Sequence, residues 1–169
     1  MKSSALARCL IVLTPLLLAA CQGREEDAAK ASAPESRPAS GKLEIRIETI
    51  DDRPAQAESV AEVGRVIKVA GSVTDPGASM CVLVHPVIVD GWWVQPPPEI
   101  AKQSGPGTWA WNSKAWLGSS KVGQGDEYEV MAIIETRPNL CEGRSQVAPE
   151  EIPVSISRSP IFRVKRAKD

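Results

Sequence analysis

Lys42-Leu43-Glu44-Ile45-Arg46-Ile47-Glu48-Thr49-Ile50 alternates apolar and charged side chains along most of its length. Leu43, Ile45 and Ile47 fall on one side, and Glu44, Arg46 and Glu48 on the other. Successive side chains of a strand point to opposite faces, so a period of two predicts a β-strand with one buried face. Asp51-Asp52-Arg53-Pro54 ends it.

Carried down the chain, the same reading puts Ile67, Val69 and Val73 on one face of Gly64–Val73. Gly71 between them marks a bulge or a close approach of backbone. Thr74-Asp75-Pro76-Gly77 has the composition of a turn. Met80–Pro86 (MCVLVHP) is apolar almost throughout, the pattern of a strand covered on both faces. Trp92–Gln95 follows across Asp90-Gly91 as the second arm of a hairpin, and Pro96-Pro97-Pro98 stops it. Gly107–Asn112 and Ala115–Leu117 read as two short strands. Glu127–Glu135 (EYEVMAIIE) turns Tyr128, Val130, Ala132 and Ile134 one way. Thr136–Pro153 reads as a loop, and Ile161–Lys165 as the last strand.

Short strands at this spacing, with fourteen prolines, twelve glycines and no helical periodicity, predict an all-β chain. The expected architecture is a single antiparallel β-sandwich of about seven strands over residues 42–169, a small closed barrel being the alternative. The pieces V-A-G-S-V (69–73), V-L-V-H-P (82–86), W-W-V-Q-P (92–96), G-T-W (107–109), L-G (117–118) and G-D-E-Y-E-V-M-A-I (125–133) are similar to small immunoglobulin-like sandwich modules of bacterial envelope and surface proteins. The resemblance covers about residues 63–134. It implies binding or assembly rather than catalysis and carries over no functional residue.

Upstream of the strands the chain changes character. Lys2 and Arg8 precede an apolar run from Leu10 to Ala20, interrupted by Pro15 and closed by Leu18-Ala19-Ala20-Cys21. A positive start, an apolar middle and a small-residue end make a secretory leader. A bilayer-spanning helix needs about 20 apolar residues, more than this run supplies. The Cys directly after Leu-Ala-Ala resembles the lipobox of bacterial lipoproteins, which implies a leader at 1–20 that is cleaved and a lipid on Cys21. Gln22 after the cysteine is similar to the outer-membrane sorting pattern of Gram-negative lipoproteins, implying an outer-membrane anchor facing the periplasm. One acyl chain, at about 0.8 kcal/mol per buried methylene, anchors only marginally; the several chains that the resemblance implies meet the requirement. Residues 22–41 (QGREEDAAKASAPESRPASG) contain no Val, Leu, Ile or aromatic residue and read as a disordered tether, with a reach of at most ~70 Å.

Charge and cysteine usage narrow the partners. Of 20 basic and 21 acidic residues, the leader removes Lys2 and Arg8 and no acid, leaving a net charge of −3. No basic excess is present to collect phosphates, so nucleic acid is not the expected partner. With Cys9 in the leader and Cys21 lipidated, Cys81 and Cys141 remain as a pair in an oxidising compartment. A disulfide closing that interval is worth roughly 4 kcal/mol on the chain-entropy model; two separately buried thiols are the alternative. No metal is expected, because the sole histidine, His85, has no second histidine and the cysteines lack zinc-ligand spacing. No cofactor motif is present either.

All five tryptophans lie between Trp92 and Trp116. Exposed indoles make platforms for sugar rings, whereas buried ones fill core. Trp93 and Trp111 are the expected binding positions, and Trp109 shares a face with Trp111. Asp51-Asp52 and Glu150-Glu151 read as turn charges rather than an acid/base couple, which for glycoside hydrolysis would have to flank a cleft. With no nucleophile elbow or triad pattern, the chain is not expected to be an enzyme. A membrane-anchored module that binds an envelope protein or surface polymer is the expectation, with glycan binding by tryptophans as the alternative. Replacing Cys21 by Ser is expected to shift the protein from the detergent phase to the aqueous phase in cloud-point partitioning; unchanged partitioning would contradict a lipid on that sulfur.

Overall fold

A computed structural model describes residues 42–135, 140–153 and 156–168. The leader, Cys21 and the tether therefore lie outside the described residues. The described chain is all-β, with eleven strands and a single 3-10 turn at Pro149–Glu151. One sheet contains β1 (Ile45–Ile50), β2 (Arg53–Pro54), β4 (Val66–Val73), β7 (Glu99–Gly105) and β8 (Thr108–Trp116) in the order β2-β1-β4-β8-β7. The other contains β3 (Ala61–Val63), β5 (Met80–Pro86), β6 (Trp92–Val94), β9 (Glu127–Ile134), β10 (Gln146–Val147) and β11 (Phe162–Arg166), ordered β10-β6-β5-β9-β11-β3. The two sheets share no strand. They stay open and pack in a sandwich-like arrangement, and the closed barrel is not formed.

Three sequence expectations need correction. The strands outnumber seven, because β2, β3 and β10 are short edge pieces of two or three residues and β7 was not anticipated. Pairing is not wholly antiparallel: β11 and β3 run parallel, the chain having crossed to the other sheet and back twice between them. Ala115–Leu117 is no separate strand, for β8 runs unbroken from Thr108 to Trp116 against all of β4.

Alternation dictates what the sheets enclose. Ile45 and Ile47 of β1, Ile67, Val69 and Val73 of β4, and Trp111 and Ala115 of β8 meet Met80, Val82 and Val84 of β5, Tyr128, Val130, Ala132 and Ile134 of β9, and Phe162 and Val164 of β11. Ile50 joins this core although it is out of phase with Ile45 and Ile47. The cause is a bulge: Ile47 pairs with Gly71 and Thr49 with Ala70, leaving Glu48 as the extra residue. A bulge of this kind shifts the inward parity by one. Its Glu48 carboxylate accepts a 2.6 Å hydrogen bond from Ser72 Oγ.

Gly71 sits where its neighbours in the same sheet, β1 and β8, leave no room for a side chain. A Cβ placed there would lie 1.8 Å from the Arg46 carbonyl oxygen and 2.9 Å from Trp111 Cζ2. Trp111 pairs directly across from Gly71, so its indole takes the space that a side chain would fill, the arrangement in which an aromatic covers a strand glycine.

The other face of β5 and β9 is also apolar. Cys81, Leu83, Met131 and Ile133 form a second buried cluster with Trp92, Cys141, Val147, Ile152 and Ile156. Leu140, Cys141, Val147, Ile152 and Ile156 cover the β5 and β9 side chains, and a Cys81–Cys141 disulfide fastens this cover. Glu135 adds a second clamp: its carboxylate accepts from Ser79 Oγ at 2.6 Å and from the Cys141 N–H.

At the opposite end, the fully buried Arg166 donates through Nη1 to the carbonyls of Leu117, Ser119 and Val122 at 3.0, 2.5 and 2.8 Å. The β8–β9 loop is thus wrapped round a guanidinium. Gly123 closes that loop at φ 92°, where a Cβ would fall 1.8 Å from the Tyr128 hydroxyl. Burial, reinforced by the Asp126 charge and opposed by Arg166, pushes the Tyr128 hydroxyl above its ordinary value.

Replacing Gly71 by Ala drives a methyl into a backbone carbonyl and a closed indole at once. Overpacking a core in this way costs typically 1–3 kcal/mol and sometimes more, so a loss of about 3 kcal/mol in urea unfolding is expected. A change within about 0.5 kcal/mol, the scale of an ordinary surface substitution, would contradict the close approach.

Candidate functional site

Two features stand out on the surface: a rim carrying two half-exposed tryptophans, and a charged row on the outer face of β5, β9 and β11. The rim arises because β7 is too short for its partner. Its pairing with β8 runs only from Thr108 to Asn112, so the Ser113–Trp116 end of β8 has no strand on that flank. The β6–β7 connection fills the gap instead. The buried Gln95 side chain accepts at Oε1 from the Trp116 N–H at 2.8 Å and donates from Nε2 to the Trp93 carbonyl at 3.1 Å. Ser113 Oγ donates to the Pro96 carbonyl at 3.2 Å, and Gln95 N–H donates to Val82 O at 3.0 Å. One amide therefore bridges the backbones of Trp93 and Trp116 at one rim. From there register turns the Trp93 indole to the same face of its sheet as Val84, and the Trp116 indole to the outer face of the other sheet. Trp93 is 44% exposed and Trp116 41%. Val66, opposite Trp116 on β4, is also exposed.

The five tryptophans divide clearly. Trp93 keeps the exposure expected of a binding position. Trp111 does not: it is buried between the sheets over Gly71, and no ligand ring could stack on it there. Its Nε1–H, buried without an acceptor among the described residues, is a cost to the core. Trp109, on the same inward face, packs against that core. Trp92 is covered on the opposite side of its sheet, with its ring centroid 5.1 Å from that of His85. Trp116 was missed because β8 was read as ending at Asn112. Continued from Trp111 through Ser113 and Ala115, the period of two turns Trp116 outward.

The charged row is set by register. His85, Glu129 and Arg163 lie side by side on β5, β9 and β11. Glu129 Oε2 lies 3.1 Å from His85 Nδ1, and Oε1 accepts from Arg163 Nε and Nη2 at 3.1 and 3.0 Å. His85 Nε2 lies 2.8 Å from the Val89 carbonyl oxygen. Both ring nitrogens thus lie against oxygens, one of the Glu129 carboxylate and one of the Val89 carbonyl. Burial works to raise the Glu129 carboxyl, but the hydrogen bonds from His85 and Arg163 outweigh it and hold the group below its ordinary value. The row ties β5, β9 and β11 together on their outer face as a charged latch.

Asp51 and Glu151 each accept from a backbone N–H. Asp51 and Asp52 form the two-residue β1–β2 turn with φ of 50° and 60°, the left-handed geometry that hairpins favour. Asp51 Oδ1 accepts from the Lys68 N–H at 2.9 Å. Glu151 accepts two bonds from Arg144 Nη2 and one from the Ala148 N–H. The Arg144 bond first, then the Ala148 N–H, keep its carboxyl below the ordinary value. An open groove of about 580 Å³ runs between the Lys42–Arg46 flank of β1 and the segment at Ile156–Pro160, and Ser157 Oγ crosses it to donate to Leu43 O at 2.7 Å. Cys81, Cys141 and Glu135 are the one group of potential metal ligands among the described residues, and here the two sulfurs are bonded to each other.

Set against protein-family models, curated proteins and solved structures, the chain finds no match in any of the three. Among the described residues no helix is long and apolar enough to cross a membrane.

The Glu129 shift has a defined sign. A carboxyl whose pKa falls on folding stabilises the fold above its ordinary value of 4.5, and the contribution is lost as pH drops below that value towards the folded pKa. Glu129→Gln is therefore expected to narrow the difference between the urea midpoints at pH 7 and pH 3. An equal difference in both proteins would show that the row does not act on stability.

Proposed function

We propose that this protein is a bacterial envelope lipoprotein, tethered by lipid on Cys21 to the outer membrane and facing the periplasm. Its body is a non-catalytic immunoglobulin-like sandwich that binds or assembles with another envelope protein or polymer. The observation that carries the binding role is the Trp93–Gln95–Trp116 rim. Two large apolar side chains stand in solvent there, on backbone fixed by a buried amide. Aromatic anchors on rigid supports dominate binding energy at interfaces, since little conformational freedom remains to be lost. The immunoglobulin-like type draws support from the chain's repeated crossings between sheets, at β4 to β5, β6 to β7 and β8 to β9. Non-catalytic use draws support from the carboxylates of Asp51, Glu129 and Glu151, each engaged by donors of its own fold.

A second reading follows from the same two indoles. Stacking on a sugar ring needs an exposed aromatic face, and Trp93 and Trp116 supply two on one rim. The readings separate experimentally. Pull-down of the lipidated protein from detergent-solubilised envelopes is expected to capture a partner that Trp93→Ala or Trp116→Ala loses about tenfold, as hot-spot truncations do. Intrinsic fluorescence titrated with peptidoglycan fragments and common polysaccharides is expected to shift only for the glycan reading. Identical captures by wild type and both variants, with no glycan shift, would remove the rim from the function.

A further inference from the structure

The β5–β6 hairpin ends in Val87-Ile88-Val89, three β-branched apolar residues in a row that all face solvent. Ile88 is 71% exposed, and its two neighbours are each exposed by more than two-fifths. The exposure is built in, because the tip is fastened on both sides. Val87 N–H donates to the Glu127 carbonyl at 3.0 Å and Val89 N–H to the Pro86 carbonyl at 3.1 Å. His85 Nε2 contacts Val89 O, and Gln146 Nε2 donates to Asp90 O at 3.1 Å.

We infer that this tip inserts into the interface of a zwitterionic phospholipid bilayer, as a second point of membrane contact beside the lipid on Cys21. Side chains at a turn point in several directions. A groove on a protein takes up one face of such a tip, whereas a headgroup region surrounds it and removes all three side chains from water together. From Val69 to Ala101 the chain contains no Lys or Arg, and Asp90 adjoins the tip. In the fold the neighbouring cations, Arg163 and Lys165 of β11, lie opposite Glu129 and Glu127, so burial of apolar surface rather than attraction to anionic lipid supplies the affinity. Trp93, further down the same hairpin arm and half-exposed, suits the headgroup depth at which indoles concentrate.

Geometry permits both contacts at once. Lys42 borders the groove that also contains Ile134, at the far end of β9 from the tip, which bonds to Glu127. The separation is one strand length, about 25 Å, and the tether reaches ~70 Å. The inference rests on the lipid-anchor reading only for the contact made through Cys21, and the two contacts are read out separately.

The test places an environment-sensitive nitrobenzoxadiazole label at position 88 through Ile88→Cys in the lipidated full-length protein. A control label goes at position 114 through Lys114→Cys, on the exposed outer face of β8. Both are reconstituted on phosphatidylcholine vesicles. Flotation reports the anchor; iodide access and quenching by spin-labelled lipid report the tip. The label at 88 is expected to be shielded from iodide several-fold relative to 114 and to be quenched from the lipid side. Iodide access at 88 equal to that at 114 would overturn the inference, whether or not the protein floats. Protein that fails to float while the label at 88 is shielded at excess vesicles would keep the tip and discard the anchor. Unlabelled Ile88→Asp, with intact near-ultraviolet circular dichroism, is expected to abolish protection of the tip amides from hydrogen exchange on adding vesicles; unchanged protection would contradict insertion.

Discussion

β5 and β9 are apolar on both faces, and everything else in the fold follows from having to cover them twice. Fully burying a Val, Leu, Ile or Met side chain is worth about 1.5–3 kcal/mol. Leaving Leu83, Met131 and Ile133 in water would therefore forfeit several kcal/mol, a large part of a typical domain's net stability. Sheet packing covers Val82, Val84, Val130, Ala132 and Ile134 on one side. On the other, no sheet is available, and the segment bearing Cys141, Val147, Ile152 and Ile156 does the work. Such a segment has little regular hydrogen bonding of its own. The disulfide and the Glu135 clamp compensate, by fixing its start to the strand it must cover.

Completeness of cover in the middle contrasts with its incompleteness at the margins. β7 pairs with only part of β8, and Gln95 satisfies the Trp116 N–H that a longer strand would have met. An edge treated in this way stays closed to strand addition at that point while keeping its two indoles in solvent. The hairpin beyond His85 shows the same logic, since its backbone is held at Val87, Val89 and Asp90 while its apolar side chains stay exposed. Stability and availability for contact are thus divided between neighbouring residues of one strand pair.

Elements with a buried face could be read from the chain because alternation has a physical cause. KLEIRIETI, MCVLVHP and EYEVMAIIE each announced a covered face, and MCVLVHP foretold the double burial of β5; that of β9 went unread, since Met131 and Ile133 fall between the residues of its inward phase. β7 was hidden because EIAKQSG is an edge strand with almost nothing buried, so it has no apolar phase to detect. The bulge at Glu48 left its trace in the misplaced phase of Ile50, although bulge and strand end look alike in one dimension. Trp111 and Trp116 exchanged roles through a boundary drawn four residues early. Arg166 was beyond reach: its Nη1 bonds backbone carbonyls more than forty residues away, and carbonyls carry no sequence signature.

Amide hydrogen exchange with the disulfide intact tests the double cover most directly. Strands buried on both faces open only by global unfolding, so the amides of Val82, Leu83, Val84, Val130, Met131 and Ala132 are predicted to be the slowest in the molecule, and those of β7 fast. Exchange in β5 and β9 as rapid as in β7 would mean that one face of that sheet is uncovered in solution, and the account built on it would fail.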